Sequence, residues 1–256
     1  MRRYRLLIFG ILAVGYLLVY FHRLSLSVVA DDLLREFQTS AVVIGLLGSI
    51  YFYCYAAMQI PAGLMADSIG PRRTVTLFLI VAAAGSIFFG LAPGIESAFI
   101  ARILVGLGVS MVFIPTMKIL AQWFRKKEFA QMAGILNAVG GAGVLAATWI
   151  LALMTSRIGW RASFVIIGMI TLIIAVLVWR IVRDRPEDGG WSLAEEGGLE
   201  KPLQSAQNGG ISLLQGLGRV LSEKHFWLVA LWFFFDCGIF FGFGALWGGP
   251  YLMHVY

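Results

Sequence analysis

The sequence predicts an all-α fold, a polytopic bundle of transmembrane helices, and three observations support this prediction. Hydrophobic residues make up 59% of the 256 residues and charged residues only 13%, whereas soluble domains have about 45–50% and 25%. The apolar residues come in blocks of about 20, the helix length that crosses roughly 30 Å of hydrocarbon. The charged residues, with a formal net charge of +6, lie mainly between these blocks.

Seven apolar blocks have the length expected of membrane-crossing helices. Four contain no charged residue, the first and fourth contain isolated basic residues, and the last contains Asp236. In chain order the blocks cover residues 6–30, 41–66, 74–95, 97–120, 131–156, 162–179 and 226 to about 251. We therefore expect a six-helix bundle in residues 1–183, and a seventh helix in residues 226–256 that starts an incomplete second bundle.

Residues 184–225 form the clearest boundary in the chain. They are rich in Pro, Gly, Glu, Gln and Ser, a composition that cannot bury enough apolar surface to fold alone. Apolar residues recur at helical spacing in the last part, which predicts an amphipathic helix on the membrane surface. These residues are Leu213, Leu214, Leu217, Val220 and Leu221. The segment is predicted to be a cytoplasmic linker.

The basic residues predict a cytoplasmic N terminus, because cytoplasmic loops carry an excess of Lys and Arg. With this orientation the cytoplasmic side receives Arg2, Arg3, Arg5, Arg72, Arg73, Arg125, Lys126, Lys127, Arg180, Arg183 and Arg185, and the other side Arg35, Arg157 and Arg161. We expect a retained first helix, since its apolar run exceeds the ~7–15 residue core of a signal peptide. The predicted location is the cell inner membrane, where the cations attract anionic lipids.

The sequence argues against several other classes of protein. Cys54 and Cys237 lie within apolar blocks, and no metal-ligand spacing occurs. The segment GAGVLA, residues 141–146, matches a dinucleotide-binding pattern, but no strand precedes it and no acidic residue follows at the required distance. We therefore predict no enzyme, no cofactor and no metal, and no nucleic-acid partner. The glycines of the fifth apolar block, residues 131–156, are expected to bring its helix close to a neighbouring helix. They are Gly134, Gly140, Gly141 and Gly143.

A short charged segment, GLMADSIGPRRT, separates the second and third blocks. It resembles the signature loop of the major facilitator superfamily, in which a glycine-rich turn carries one acidic and several basic residues. The matching residues are Gly63, Asp67, Gly70, Arg72 and Arg73. Ser68 stands where the superfamily often has a basic residue.

Other segments resemble the same superfamily along nearly the whole chain. RILVGLGVSMVFIP, with Arg102, is similar to its fourth-helix motif, and GWRASFVIIG and RDRPED are similar to the start and exit of its sixth helix. Residues 20–37 look most like the organic-anion branches, such as anion:cation symporters and oxalate/formate exchangers. The resemblance implies a secondary transporter that works by alternating access between two six-helix bundles.

The resemblance also implies roles in gating and coupling. Asp67 would meet the positive end of a helix from the second bundle, together with Arg72 and Arg73, and Gly63 and Gly70 would allow the close approach. Arg102 would act in coupling, with a structural ion pair as the alternative. Lys118 is expected to extend its ammonium group to the cytoplasmic end of the fourth helix.

Polar residues inside the blocks are candidates for the transport site, because charges at membrane depth are costly unless they face a cavity or a partner. Arg23 is expected to hold an anionic substrate and His22 to take part in protonation. The alternative is that Arg23 only stabilises packing, paired with Asp31, Asp32 or a carbonyl group. Adjacent helical residues point about 100° apart, so His22 and Arg23 are not expected to face one ligand together.

Further candidate substrate-binding residues follow from helical spacing. Tyr51, Tyr55 and Gln59 recur every four residues and share one face of the second helix. Asn137 in the fifth helix and Asp236 in the seventh are polar residues at membrane depth. Packing between helices is the alternative for the tyrosines and the glutamine.

We therefore expect a secondary active transporter of a small solute, an organic anion, with proton coupling as the hypothesis for its energy source. The second six-helix bundle is not contained in this chain. The competing hypothesis is a truncated or non-transporting membrane protein that acts as a scaffold or associates with another chain.

Overall fold

The computed structural model describes residues 2–190, 218 and 221–240. The chain divides into two units, residues 1–200 and 201–256. Helices account for nearly all of the described residues, which contain no strand, so the predicted all-α class is confirmed.

The helices of the first unit follow the apolar blocks of the sequence. They are α1 (Arg2–Val28), α2 (Ala30–Glu36), α3 (Ala41–Ala57), α4 (Gln59–Ser68), α5 (Pro71–Gly90), α6 (Ile95–Ser110), α7 (Phe113–Trp123), α8 (Lys126–Leu145) and α9 (Leu151–Ile181). A π-helical turn, Ala146–Ile150, joins α8 to α9, and a short 3-10 helix, Pro186–Gly189, follows α9.

Two of the crossing segments are broken, and each break has a proline three or four residues downstream. Helix α3 ends at Ala57 and α4 continues at an angle of 45°, with Pro61 in its first turn. Helix α6 gives way to α7 around Met111, and Pro115 lies in the first turn of α7. Proline lacks an N–H group and its ring clashes with the carbonyl four residues earlier, so the helix breaks there.

The continuous helical stretch Lys126–Ile181 contains two crossing segments rather than one. Its 56 residues would span roughly 84 Å at 1.5 Å per residue, far more than a bilayer core of about 30 Å. Gly159 interrupts it with a non-helical backbone, φ 78° and ψ 161°. Glu128 near the start of α8 pairs with Arg5, and Ile181 at the end of α9 accepts a hydrogen bond from Tyr4. Since both ends meet the start of α1, the chain reverses at Gly159.

The first unit thus contains six crossing segments, residues 2–28, 41–68, 71–90, 95–123, 126–158 and 160–181. Four helices, or five with the bent pair counted as one, are long and apolar enough to cross a membrane. The reversal at Gly159 supplies the sixth. We call the end where α1 begins the N-terminal end of the bundle, and the other the opposite end.

The helix–helix contacts depend on small residues at the points of closest approach. An added Cβ at Gly143 of α8 would lie within 3.0 Å of the Leu17 carbonyl oxygen of α1, and one at Gly140 would lie 2.8 Å from the Tyr20 ring. Added Cβ atoms at Gly134 and Gly141 would meet nothing within 4 Å. Only two of the four glycines therefore bring α8 against α1.

The opposite end of the bundle is held by a cluster around Arg161. Its Nε donates to Glu36 at 2.8 Å and its Nη1 donates to the carbonyl oxygens of Gly90 and Ala92, at 3.3 and 2.6 Å. Partial burial raises the pKa of the Glu36 carboxyl, but hydrogen bonds from Arg161 and Trp160 outweigh this effect and hold the pKa below its usual value. Helices α2 and α9 and the α5–α6 turn are thereby joined.

In the second unit, the described residues form helix α10 (Lys224–Cys237), followed by a π-helical turn to residue 240. Its large apolar side chains and Asp236 are exposed within this unit. The predicted seventh helix continues past residue 240, outside the described residues. Most of the predicted linker and its amphipathic helix also lies outside them.

Candidate functional site

The predicted substrate residue Arg23 is half-buried inside the first bundle and lies against aromatic rings. Its guanidinium carbon is 4.9 Å from the centroid of the Tyr20 ring and 4.8 Å from that of Tyr55. It also interacts electrostatically with Tyr51. Helices α1 and α3 supply these residues, and Tyr55 lies near the middle of the second crossing segment. A guanidinium also carries a planar fork of N–H donors, the geometry that matches a carboxylate.

A second arginine lies behind this group. Arg102 of α6 is 1% exposed, and its guanidinium carbon is 4.9 Å from the centroid of the Tyr51 ring. Its Nη1 donates to the His22 carbonyl oxygen at 3.2 Å. Tyr51 in turn stacks on Tyr55, with centroids 6.3 Å apart. No carboxylate of the described ranges lies within ion-pair distance of Arg102, so its charge is met by a carbonyl dipole and a ring face.

Asn137 of α8 is connected to these residues through Tyr16 of α1. The Tyr16 hydroxyl is 3.4 Å from Oδ1 of Asn137 and 3.5 Å from the Tyr20 hydroxyl. The Tyr16 ring stacks on Phe113, the first residue of α7, with centroids 5.2 Å apart. Asn137 itself is exposed in this chain. We call Tyr16, Tyr20, Arg23, Tyr51, Tyr55, Phe113 and Asn137 the central cluster.

Tyr16, Tyr20 and Phe113 are members of the cluster that the sequence analysis missed. A signal for the two tyrosines was present, because they precede Arg23 by seven and three residues and thus share its helix face. Phe113 carries no such signal. Its place depends on the break between α6 and α7.

The other predicted binding residues lie apart from the central cluster or at its edge. His22 is 1% exposed, and its Nε2 is 3.1 Å from Oγ1 of Thr171 in α9. Its side chain points away from Arg23, as expected for neighbours on a helix. The Gln59 amide donates to the Tyr55 carbonyl oxygen at 3.1 Å. Asp236 belongs to the second unit.

Asp67 lies at the N-terminal end of the bundle, in the last turn of α4 and not in a loop, because only residues 69 and 70 separate α4 from α5. The Asp67 carboxylate forms an ion pair with Lys118 of α7, whose Nζ also donates to the Ala66 carbonyl oxygen at 2.9 Å. Lys118 thus joins α7 to the last turn of α4. Gly63 has open space beside its Cα, and Arg73 is exposed.

A second aspartate, which the sequence analysis did not single out, caps the third crossing segment. Oδ1 of Asp184 accepts a hydrogen bond from the backbone N–H of Arg72 at 2.6 Å, in the first turn of α5. Gly70 makes this approach possible, because its φ is 99° and an added Cβ would lie 3.0 Å from Oδ2 of Asp184. The Arg72 guanidinium lies over the Trp179 ring at 4.8 Å. A carboxylate at this position stabilises a helix N-terminus.

The six crossing segments, with polar groups gathered near their middle, define a polytopic membrane protein with an interior polar site. A model of the Major Facilitator Superfamily matches residues 12–256, and the chain belongs to this family. The similar proteins are transporters and not enzymes.

Two similar proteins illustrate the relationship. A probable sulfoacetate transporter, SauU of Cupriavidus necator, is 25% identical over 192 residues, which are 75% of this chain and 45% of that protein. A probable L-galactonate transporter of Escherichia coli K12 is 30% identical over 166 residues, 65% of this chain and 37% of that protein. The chain spans less than half the length of these relatives.

A solved structure has a fold similar to that of this chain. A bacterial homologue of the human lysosomal transporter Spinster, in an inward-facing and unoccupied conformation, matches with a TM-score of 0.75 at 23% identity. The match covers 100% of this chain and 57% of that chain. At this identity the likeness concerns the fold alone.

Proposed function

We propose that the chain forms the first half of a secondary active transporter that moves a small organic anion by alternating access. The observation that carries this proposal is the position of Arg23, half-buried between the Tyr20 and Tyr55 rings inside the bundle. Sulfoacetate and L-galactonate, named for two relatives, are both organic anions, which supports the same class of solute.

The central cluster suggests how such an anion is held. Arg23 would bind the carboxylate or sulfonate group with two parallel hydrogen bonds. The amide of Asn137 and the hydroxyls of Tyr16 and Tyr20 would bind polar groups on the rest of the solute. Arg102 would raise the positive potential of the site without touching the anion, since it is almost fully buried. The second bundle would supply the opposite wall.

We also propose that protons drive transport, and that the coupling group is not His22. The imidazole of His22 is buried against Thr171, and its own carbonyl group binds the Arg102 cation. Within the described crossing segments, carboxylates occur only near segment ends, at Asp67, Glu96 and Glu128. Asp236 of the second unit is therefore the candidate that we retain, beside groups of the second bundle.

We propose that residues 63–73, at the N-terminal end of the bundle, act as a gate, and we call them the gate segment. Asp67 would exchange its partner between the two conformations, from the first bundle to the positive end of a helix in the second. Arg72, Arg73 and Gly70 would shape the turn, and Gly63 has the open space that an approaching helix would need.

We propose that this gate is cytoplasmic and that the protein resides in the cell inner membrane, as the basic residues suggest. In a background without Cys54 and Cys237, cysteine at Ser156, exposed near the opposite end, should react with an impermeant thiol reagent added to intact cells. Cysteine at Ser68, exposed at the N-terminal end, should react only after permeabilisation. The reverse pattern would contradict the orientation.

Solute uptake by reconstituted protein tests the function. Residues 1–225 fused to the second half of the Escherichia coli L-galactonate transporter should take up L-galactonate saturably. Galactitol, which has hydroxyl groups but no carboxylate, should not compete. The chain alone should show no saturable uptake, because it lacks the second wall of the site. A protonophore should abolish accumulation if protons drive it.

Two outcomes would contradict the proposal. Equal competition by galactitol would show that the site does not select for negative charge. A fusion that inserts and unfolds cooperatively, but neither binds nor transports L-galactonate, would favour the scaffold hypothesis.

A further inference from the structure

Helix α7 lies between the central cluster and the gate segment. It begins at Phe113, which stacks on Tyr16 of the cluster. An interruption at residues 111 and 112 separates α7, which has 11 residues, from α6 in the same crossing segment. Lys118, five residues after Phe113, lies about 7.5 Å further along the axis.

Lys118 makes two contacts that hold the last turn of α4. Its ammonium group forms an ion pair with Asp67 and donates to the Ala66 carbonyl oxygen. The two charged side chains are 29% and 66% exposed, so the attraction is partly screened by solvent. The contact with the Ala66 carbonyl gives the ammonium a fixed position beside Asp67.

Asp67 does not cap the N-terminus of α5, the helix that follows it. The N-terminus of α5 is capped by Asp184 through the Arg72 backbone N–H group. Asp67 is therefore held within the described bundle by Lys118, and a new partner would have to replace this lysine. A partner exchange of this kind is what a two-state gate requires.

We propose that α7 transmits the state of the central cluster to Asp67, with Lys118 as the positioning residue. Displacement of Phe113 moves α7, and Lys118 then releases the last turn of α4. This inference deepens the proposed function and rests on it for the meaning of the cluster as an anion site. The mechanical link itself can be tested on the chain without any solute.

Hydrogen–deuterium exchange of the α4 C-terminus in the purified chain measures the link. Lys118→Met, Asp67→Asn and Phe113→Ala should each speed exchange of the amides in residues 64–69 by roughly two- to fivefold, the range for a partly exposed ion pair. Phe113→Ala added to Lys118→Met should have little further effect, because both act through one contact.

Two controls separate this link from general loosening. Thr74→Val removes another hydrogen bond to the same turn, from Oγ1 to the Met65 carbonyl oxygen at 3.2 Å. Its effect should multiply with that of Phe113→Ala, since it does not act through α7. Phe37→Ala removes a half-buried ring at the opposite end, where Phe37 packs on Trp160, and should leave this exchange unchanged.

Each alternative result overturns a defined part of the inference. Unchanged exchange in Lys118→Met shows that Lys118 does not hold the turn. Unchanged exchange in Phe113→Ala, or independent effects of Phe113→Ala and Lys118→Met, shows that α7 does not carry the signal. None of these results bears on anion uptake, and a failure of anion uptake would leave this exchange pattern as it is.

Discussion

Arg23→Gln is expected to weaken the binding of L-galactonate by the fused transporter about tenfold to 150-fold. Hydrogen bonds to charged groups contribute roughly 1.5–3 kcal/mol, and each 1.4 kcal/mol is a factor of ten in affinity. The affinity of Arg23→Lys for L-galactonate should lie between those of the parent protein and Arg23→Gln, because lysine keeps the charge but lacks the planar fork of donors. Isothermal titration calorimetry of the purified protein measures the change.

Arg157→Gln is the matched control for this prediction. It removes the same charge from an exposed position near the opposite end of the bundle, outside the central cluster and the proposed gate, and should leave the affinity within about twofold. An Arg23→Gln protein that binds L-galactonate as tightly as its parent would contradict the anion site. Arg23 would then have a packing role, the alternative that the sequence left open.

Gly143→Ala is expected to destabilise the first bundle by about 1–3 kcal/mol, the usual cost of overpacking. The new methyl group would lie within 3.0 Å of the Leu17 carbonyl oxygen, a backbone atom that cannot yield without moving α1. Gly141→Ala, two residues away on the same helix, meets open space. It should be neutral or stabilising by up to about 1 kcal/mol, because alanine favours the helix.

Thermal unfolding of the two variants in one detergent measures this contrast. A fall in the unfolding temperature with Gly143→Ala, and none with Gly141→Ala, is the expected pattern. Equal falls would show that helix α8 tolerates no side chain at either position. No fall in either would show that α1 and α8 are not packed as closely as described.

The sequence does not distinguish Gly141 from Gly143, although only Gly143 faces α1. Glycines in an apolar block predict close helix packing, and the prediction does not depend on which glycine faces the neighbour. The rotation of α8 about its axis decides that, and this rotation follows from contacts with α1. The same holds for His22 and Arg23, where helical geometry separates the two side chains but only packing directs His22 to Thr171 and Arg23 to the tyrosine rings.

The sequence by itself determined that this protein is an all-α membrane bundle of the Major Facilitator Superfamily. Block length, hydropathy and local motifs carry that information, because the cost of exposing polar backbone to lipid leaves few alternatives to a spanning helix. The tertiary structure alone decided which polar groups meet. Tyr16 reaches Asn137, and Lys118 reaches Asp67, across more than 50 residues of chain. Such pairs depend on the rotation and depth of whole helices, which are set by packing summed over many residues and leave no local signal in the chain.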